Sequence, residues 1–239
     1  MDLLLDALAA AIHLIFAADR YLLDIVARSL AISGSAVLLG VVLGLPVGIA
    51  VGIGRFRGRR VAITLIHTGF ALPPVVVGLF VYLMLSRQGP LGGLGWLFTP
   101  AAMITAQALL AAPYVAGITL AAVQAVPPDV RWQARALGAS RLRALWVHVR
   151  EARLGLVAAV VAGFGAVISE VGAVMMVGGN IVGETRVMTT AIVLETRRGN
   201  FGLALALGGI LLLLAFVVNL LLTRAQQGAT DSSLDRPWA

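Results

Sequence analysis

The sequence predicts an all-α integral membrane protein with five transmembrane helices and one cytoplasmic two-helix loop, and three observations carry that expectation. Hydrophobic residues make up 60% of the chain and charged residues 12%, with a mean hydropathy of +0.98, whereas a soluble domain is about one quarter charged. The apolar residues come in runs of about twenty, the length that crosses a hydrocarbon layer of about 30 Å. The basic residues, 18 in all and every one an arginine, gather in the gaps between runs, as the positive-inside rule requires of cytoplasmic loops.

The same composition excludes several function classes. Without a lysine the chain cannot form a P-loop, whose lysine reaches the terminal phosphates of a nucleotide. The net charge of +7 follows from loop arginines beside apolar spans, so nucleic acid is not an expected partner. There is no cysteine, and His13, His67 and His148 are too scattered for a metal site.

The elements follow in order. Residues 1–28 read as an N-terminal interfacial segment, with Leu4, Leu8, Ile12, Ile15 and Phe16 on one helical face and Asp2, Asp6 and His13 away from it. A secretory signal would begin with positive charge, and this segment begins with aspartate. Ser29 to Ile53 is the first span. Its Gly40, Gly44, Gly48 and Gly52 share one face at a four-residue interval, which predicts a close helix-packing seam. Arg55, Arg57, Arg59 and Arg60 then place the following loop in the cytoplasm and the N-terminus outside. Val61 to Leu85 is the second span, interrupted by Pro73-Pro74, where lost backbone donors need compensation from neighbours, water or a hydroxyl such as Thr68. Thr99-Pro100 opens a third span to about Val123, with Pro113 as a kink. The fourth, Leu154 to Val177, is dense in small residues on two faces: Gly155, Ala159 and Gly163 on one, Ala158, Ala162 and Ala166 on the other. Val187 to Leu194 is too short to span and reads as an outer re-entrant or interfacial hairpin. Phe201 to Leu222 is the last span, completing a transmembrane domain of residues 29–222, and 223–239 form a polar cytoplasmic tail.

The long polar interruption, 125–153, sets the function. Pro127-Pro128-Asp129 ends one helix and starts another. Val130, Ala134 and Leu137 then lie on one face with Arg131 and Arg135 on another, Gly138-Ala139-Ser140 turns the chain, and Ser140 caps a second helix. That helix has Leu142, Leu145, Trp146 and Val149 as its apolar face. The result is a basic, bent, two-helix projection.

This alanine-glycine turn resembles the ATPase-docking loop of ABC importer permeases, whose pattern is Glu-Ala-Ala-x-x-x-Gly: Ala134 and Gly138 match, with Trp132 at the glutamate position and Gln133 at the first alanine. From Gly163 to Thr196 the chain reads GFGAVISEVGAVMMVGGNIVGETRVMTTAIVLET, which resembles tungstate permeases, neighbours of the molybdate permeases. The likeness covers roughly residues 29–222. It implies a permease fold of the molybdate/methionine-importer type in a bacterial or archaeal inner membrane, and import of an oxyanion, with tungstate foremost and molybdate or sulfate as alternatives. It further implies a second copy of the chain, an ABC ATPase dimer that binds the ATP and Mg, an external oxyanion-binding protein, and no cofactor in this chain. Trp132, Ala134, Arg135, Leu137, Gly138, Ala139 and Ser140 are the expected ATPase-coupling residues.

The candidates for the pathway and its gate are Glu170, Met175, Met176, Asn180, Thr189 and Thr190. Glu170 is the one charge inside the fourth span, with Ser169 or Arg186 as possible partners. No arginine falls inside a span, so none is expected to hold an anion tightly, as conduction requires. Two rivals come from other classes: a proton-coupled secondary transporter using Glu170 and the broken second span, and a membrane scaffold that recruits a partner through its basic loop.

Overall fold

The computed structural model describes residues 2–17 and 19–234, so the last five residues of the expected tail lie outside the described residues. The described chain is helical throughout: α1 Asp2–Phe16, α2 Arg20–Ile53, α3 Arg59–Phe70, α4 Pro74–Leu85, α5 Pro100–Ala125, α6 Asp129–Ala136, α7 Arg141–Glu151, α8 Arg153–Ile168, α9 Gly172–Gly178, α10 Met188–Arg197 and α11 Phe201–Leu234. Three of these, α2, α5 and the stretch Phe201–Leu221 of α11, are long and apolar enough to cross a membrane alone. Treating each bent pair as one span gives five.

The first span is longer than its apolar run. The carboxylate of Asp19 accepts the Leu22 N–H at 3.0 Å, and this N-cap starts the helix at Arg20, nine residues before Ser29. At its other end Arg59 donates to the carbonyls of Val51 and Gly52, closing α2 where free carbonyls attract a cation. The glycine interval is the packing seam the spacing predicts, and its partner is α5 of the same chain. A Cβ added at Gly40 would lie 2.7 Å from Ala111 Cβ, and one at Gly44 2.6 Å from the Ala112 carbonyl. The bare α2 backbone closes onto Ala111, Val115, Thr119 and Val123 of α5 because the α2 side carries no side chain in the way. The seam is therefore consumed inside the chain and gives no support to a second copy packing there.

Helix α8 continues the motif against α5. Gly155 faces Ala122, Gly163 faces Val115 and Ala159 is fully buried, while Ala158, Ala162 and Ala166 are only half-buried. Of the two small faces, one packs within the chain. Together α2, α5 and α8, each in contact with the other two, form the packed core of the bundle.

Two spans, the second and the fourth, are broken. Helices α3 and α4 meet at 99° across Ala71–Pro73, a break rather than a kink, with Pro74 at the first position of α4. Thr68 does not compensate the prolines; its hydroxyl donates to Thr64 one turn back. The fourth span ends its first helix at Ile168 and resumes at Gly172. The two breaks adjoin: Gly172 faces Val75, and Gly78 lies close against the Ala173 backbone.

Helix α1 packs on α11 through its small face and leaves its large apolar face free, as a helix lying in a membrane interface would. Leu4, Leu8, Ile12, Ile15 and Phe16 are all exposed, Phe16 at 87%. Ala7 and Ala11 are buried, and Ala10 meets Gly202 of α11. In lipid the small face packs and the large face is left to the tails. Helix α11 runs past the last span to Leu234, so the described part of the expected tail is helical.

Candidate functional site: a basic docking loop and two adjoining breaks

Helix α6 stops in a defined turn. Gly138 N–H donates to Arg135 O and Ala139 N–H to Ala134 O, both at 3.0 Å, with Gly138 at φ +87. This is the Schellman closure, and its left-handed residue is glycine because a Cβ is strained there. A Cβ at Gly138 would meet nothing within 4 Å, so conformation alone sets the requirement. Ser140 Oγ then accepts the Arg143 N–H at 3.3 Å, capping α7 as its residue type predicts.

The inward face of α7 is not the one expected. Ala144 and His148 are buried, whereas Leu142 is 79% and Trp146 58% exposed, with Leu145 and Val149 half-buried. The cause is the 59° bend between α7 and α8, which turns the Ala144–His148 edge toward the end of α5. There His148 Nε2 lies 3.0 Å from the Val123 carbonyl. Nε2 donates to that carbonyl, leaving buried Nδ1 without a partner. Burial holds the imidazole below its usual pKa, opposed by the Val123 hydrogen bond and helped by nearby Arg131. Neutral His148 thus pins α7 to α5.

On the outside of the projection Trp132 is 67% and Leu137 89% exposed, Arg135 is exposed, and Ala134 and Ala139 are half-buried beneath the turn. Trp146 carries the Arg150 guanidinium 5.1 Å above its ring. An exposed indole and leucine beside arginines form an unpartnered ridge suited to a protein surface.

At the far end of α8, Glu170 sits in the break rather than within a span. Its Oε1 accepts the Ala173 N–H at 3.0 Å, and its carbonyl accepts the Thr189 hydroxyl at 2.9 Å. Neither Ser169 nor Arg186 is its partner. Ser169 donates to Gly165 O, and Arg186 donates to Asn180 Oδ1, Asn180 O and the Tyr21 hydroxyl. Gln107 of α5 completes the break by donating to Val167 O at 2.9 Å, a carbonyl that an unbroken helix would use at residue 171.

The six pathway candidates divide accordingly. Glu170 and Thr189 are joined by a hydrogen bond. Asn180, at φ +55, belongs to the Arg186–Tyr21 cluster instead. Thr190 is fully buried, and its hydroxyl accepts the Val187 N–H at the start of α10. Met175 and Met176 lie half-buried on α9.

Three roles lay outside the sequence reading. Gln107 had a signal, a lone carboxamide in an apolar run. His148 read only as one of three scattered histidines. Arg186, 6% exposed, read as a candidate partner of Glu170, yet its guanidinium is buried among neutral acceptors, the one arginine so placed beside the spans among the described residues.

Comparison with known proteins gives this geometry a family. Residues 44–230 match the family described as "Binding-protein-dependent transport system inner membrane component". A "Probable anion ABC transporter permease protein" of Haloferax volcanii is 49% identical over 206 residues, 84% of this chain and 89% of that one. The "Tungstate uptake system permease protein TupB" of Peptoclostridium acidaminophilum is 37% identical over 227 residues, 95% of this chain and 100% of the relative. Among solved structures, an inward-facing form of the MetNI methionine ABC transporter shares the fold, with a TM-score of 0.71 at 20% identity over 87% of this chain and 95% of that one. A basic two-helix projection, broken spans and a family match over most of the chain converge: this chain is a multi-pass inner-membrane permease subunit of the binding-protein-dependent ABC importers.

Proposed function

We propose that this chain is the permease of a tungstate importer, working as a pair of identical copies with two copies of a separate ATPase and an external binding protein that delivers the oxyanion. The observation that carries the reading is likeness to a tungstate permease over 95% of this chain. The arginine distribution supports an N-terminus outside and α6–α7 in the cytoplasm, since Arg55, Arg57, Arg59 and Arg60 and the six arginines of 131–153 then all face inward.

Within that reading Trp132, Leu137 and Arg135 form the surface that meets the ATPase, with Ala134, Gly138, Ala139 and Ser140 setting its shape. Movement of this surface reaches the membrane through α7, which the His148–Val123 bond ties to α5 and which runs on into α8 after a single intervening residue. The far end of α8 is the Glu170 break, adjoining the break before α4. Non-helical backbone at membrane depth survives only where protein or a polar path satisfies it, and these two breaks are the natural gate. Glu170 repels an oxyanion, so it shapes the gate rather than binding cargo; selectivity lies mainly in the delivery protein.

Reconstitution tests the reading. Vesicles holding this chain, its ATPase and the binding protein take up labelled tungstate only with internal ATP, and excess molybdate or sulfate competes poorly. Uptake that persists without the ATPase refutes the importer mechanism, and preferential uptake of molybdate or sulfate moves the substrate assignment to that anion. Cross-linking of purified chains to a dimer of ATPase-bound copies tests the stoichiometry.

A further inference from the structure

Beside the docking ridge lies a cavity of about 460 Å3 that docking by itself does not explain. Its wall gathers Arg55 from the loop after α2, Arg131 and Arg135 from α6, and Arg141 from α7, together with Trp132 and Leu142; no carboxylate lines it among the described residues. Positive-inside topology requires arginines on this side of the membrane, but it does not require four, from two helices and a loop, to share one concavity. Among the described residues the single ion pair is Arg198–Glu195, and none of the four takes part in it. Like charges gathered around a partly apolar hollow repel one another unless an anion sits between them.

We propose that this cavity is a binding site for a tetrahedral oxyanion of the phosphate type, supplied either by the headgroup of an anionic phospholipid or by a free cytoplasmic oxyanion. Guanidinium groups match such oxygens in paired hydrogen bonds. Basic hollows at the cytoplasmic edge of membrane helices suit acidic headgroups, and Trp132 and Leu142 offer apolar surface to what the headgroup carries. Trp132 belongs both to this wall and to the docking ridge, so an anion held here ties α6 to α7 and α2 and stiffens the loop that meets the ATPase. The site rests on the cytoplasmic placement of α6 and α7 proposed above.

The test uses the full-length chain purified without its ATPase, so that no nucleotide site contributes. One arm measures retention of phosphatidylglycerol against phosphatidylcholine by native mass spectrometry. The other measures equilibrium binding of labelled inorganic phosphate and of tungstate in lipid-free detergent. The wild type binds in at least one arm, and that arm names the source. Arg55→Gln with Arg141→Gln weakens this binding at least tenfold, each single substitution at least threefold. Arg57→Gln with Arg60→Gln, which removes the same charge from outside the cavity, changes it less than twofold. Absence of wild-type binding in both arms overturns the site, as does an equal loss in the charge-matched control, which would reduce the cluster to diffuse attraction. These assays do not depend on orientation in a membrane. Labelling of a cysteine placed at Leu137 from the outside of cells would instead refute the topology and leave the site standing.

Discussion

Gly48→Ala isolates what the seam between α2 and α5 contributes. A Cβ there would lie 2.5 Å from the Ala116 carbonyl and 2.7 Å from Thr119 Cβ, where ordinary contact begins at 3.4 Å, a shortfall of about 0.9 Å at the carbonyl. The carbonyl is α5 backbone and cannot rotate aside, so the helices must separate. A gap of 0.5–1 Å forfeits roughly a quarter to a half of each dispersion contact it opens, and overpacking of this kind costs about 1–3 kcal/mol. Alanine returns up to about 1 kcal/mol as the better helix former, so the net loss reaches about 2 kcal/mol at the upper end of that range. For a chain of this size that lowers the unfolding midpoint by roughly 4–8 °C. Gly34→Ala is the matched control, because its Cβ meets nothing within 4 Å and only the propensity gain remains. The assay is the midpoint at which detergent-purified protein loses its monodisperse peak. If Gly48→Ala melts with Gly34→Ala, the backbones are not in contact and the seam argument fails.

Other substitutions read the site directly. Gly138→Asn keeps ATPase association, because asparagine tolerates a positive φ, whereas Gly138→Val costs about 1–2 kcal/mol at φ +87 and weakens co-purification of the ATPase together with coupled hydrolysis; an unchanged valine variant removes the turn from coupling. Glu170→Gln retains an acceptor for the Ala173 N–H and so preserves assembly and transport, while Glu170→Ala loses about 1 kcal/mol with the cap; a transport-dead, well-assembled glutamine variant shows that the charge itself is used. The lowered pKa of His148 makes stability fall with acidity. The unfolded chain takes up a proton near pH 6.5 and the folded chain only at lower pH, so stability is full above the unfolded value and declines below it by at most about 1.4 kcal/mol per pH unit until the folded value is passed. His148→Gln keeps a donor for Val123, and its melting midpoint between pH 7 and 5.5 falls less than that of the wild type; parallel curves would exclude His148 as the titrating group.

What could be read from the sequence was what a single residue type dictates. The four-residue glycine interval means close approach wherever the partner lies, and it named the seam without naming α5. Gly138 in a polar turn between two helical patterns announced a left-handed cap. Proline doublets announced a break. The start of α2 was also legible, since Asp19 before Arg20-Tyr21-Leu22 is an N-cap signal, but the charges at Arg20, Asp24 and Arg28 masked it by placing the end of the apolar run later than the end of the helix. What was missed has another cause. The interfacial reading of α1 named its large apolar face but not the opposite one, where Ala7, Ala10 and Ala11 pack against α11. The face of α7 depends on a bend whose position is set by α8 and by the His148 bond to α5, and neither is a local property.

The break at Glu170 shows why a functional site is the hardest part to read. Nothing between Ile168 and Gly172 forbids a helix: there is no proline, and serine, glutamate and valine are tolerated inside one. The helix stops because other elements offer its backbone better partners. Gln107 takes the Val167 carbonyl, Thr189 donates to the Glu170 carbonyl, and the Glu170 side chain claims the Ala173 N–H. These contacts come from α5, from α10 and from the break itself, so the interruption is stable only while those elements keep their places. A proline break is fixed by covalent structure, whereas this one is held by three exchangeable hydrogen bonds, each worth about 1 kcal/mol net. It stands directly against the proline break before α4, with α8 and then α7 leading back from it to the docking loop. On the function proposed above, a fixed hinge facing a releasable one, at the far end of the helix behind the docking loop, lets a shift of α6 alter that end of α8 while the glycine seam holds α2 to α5.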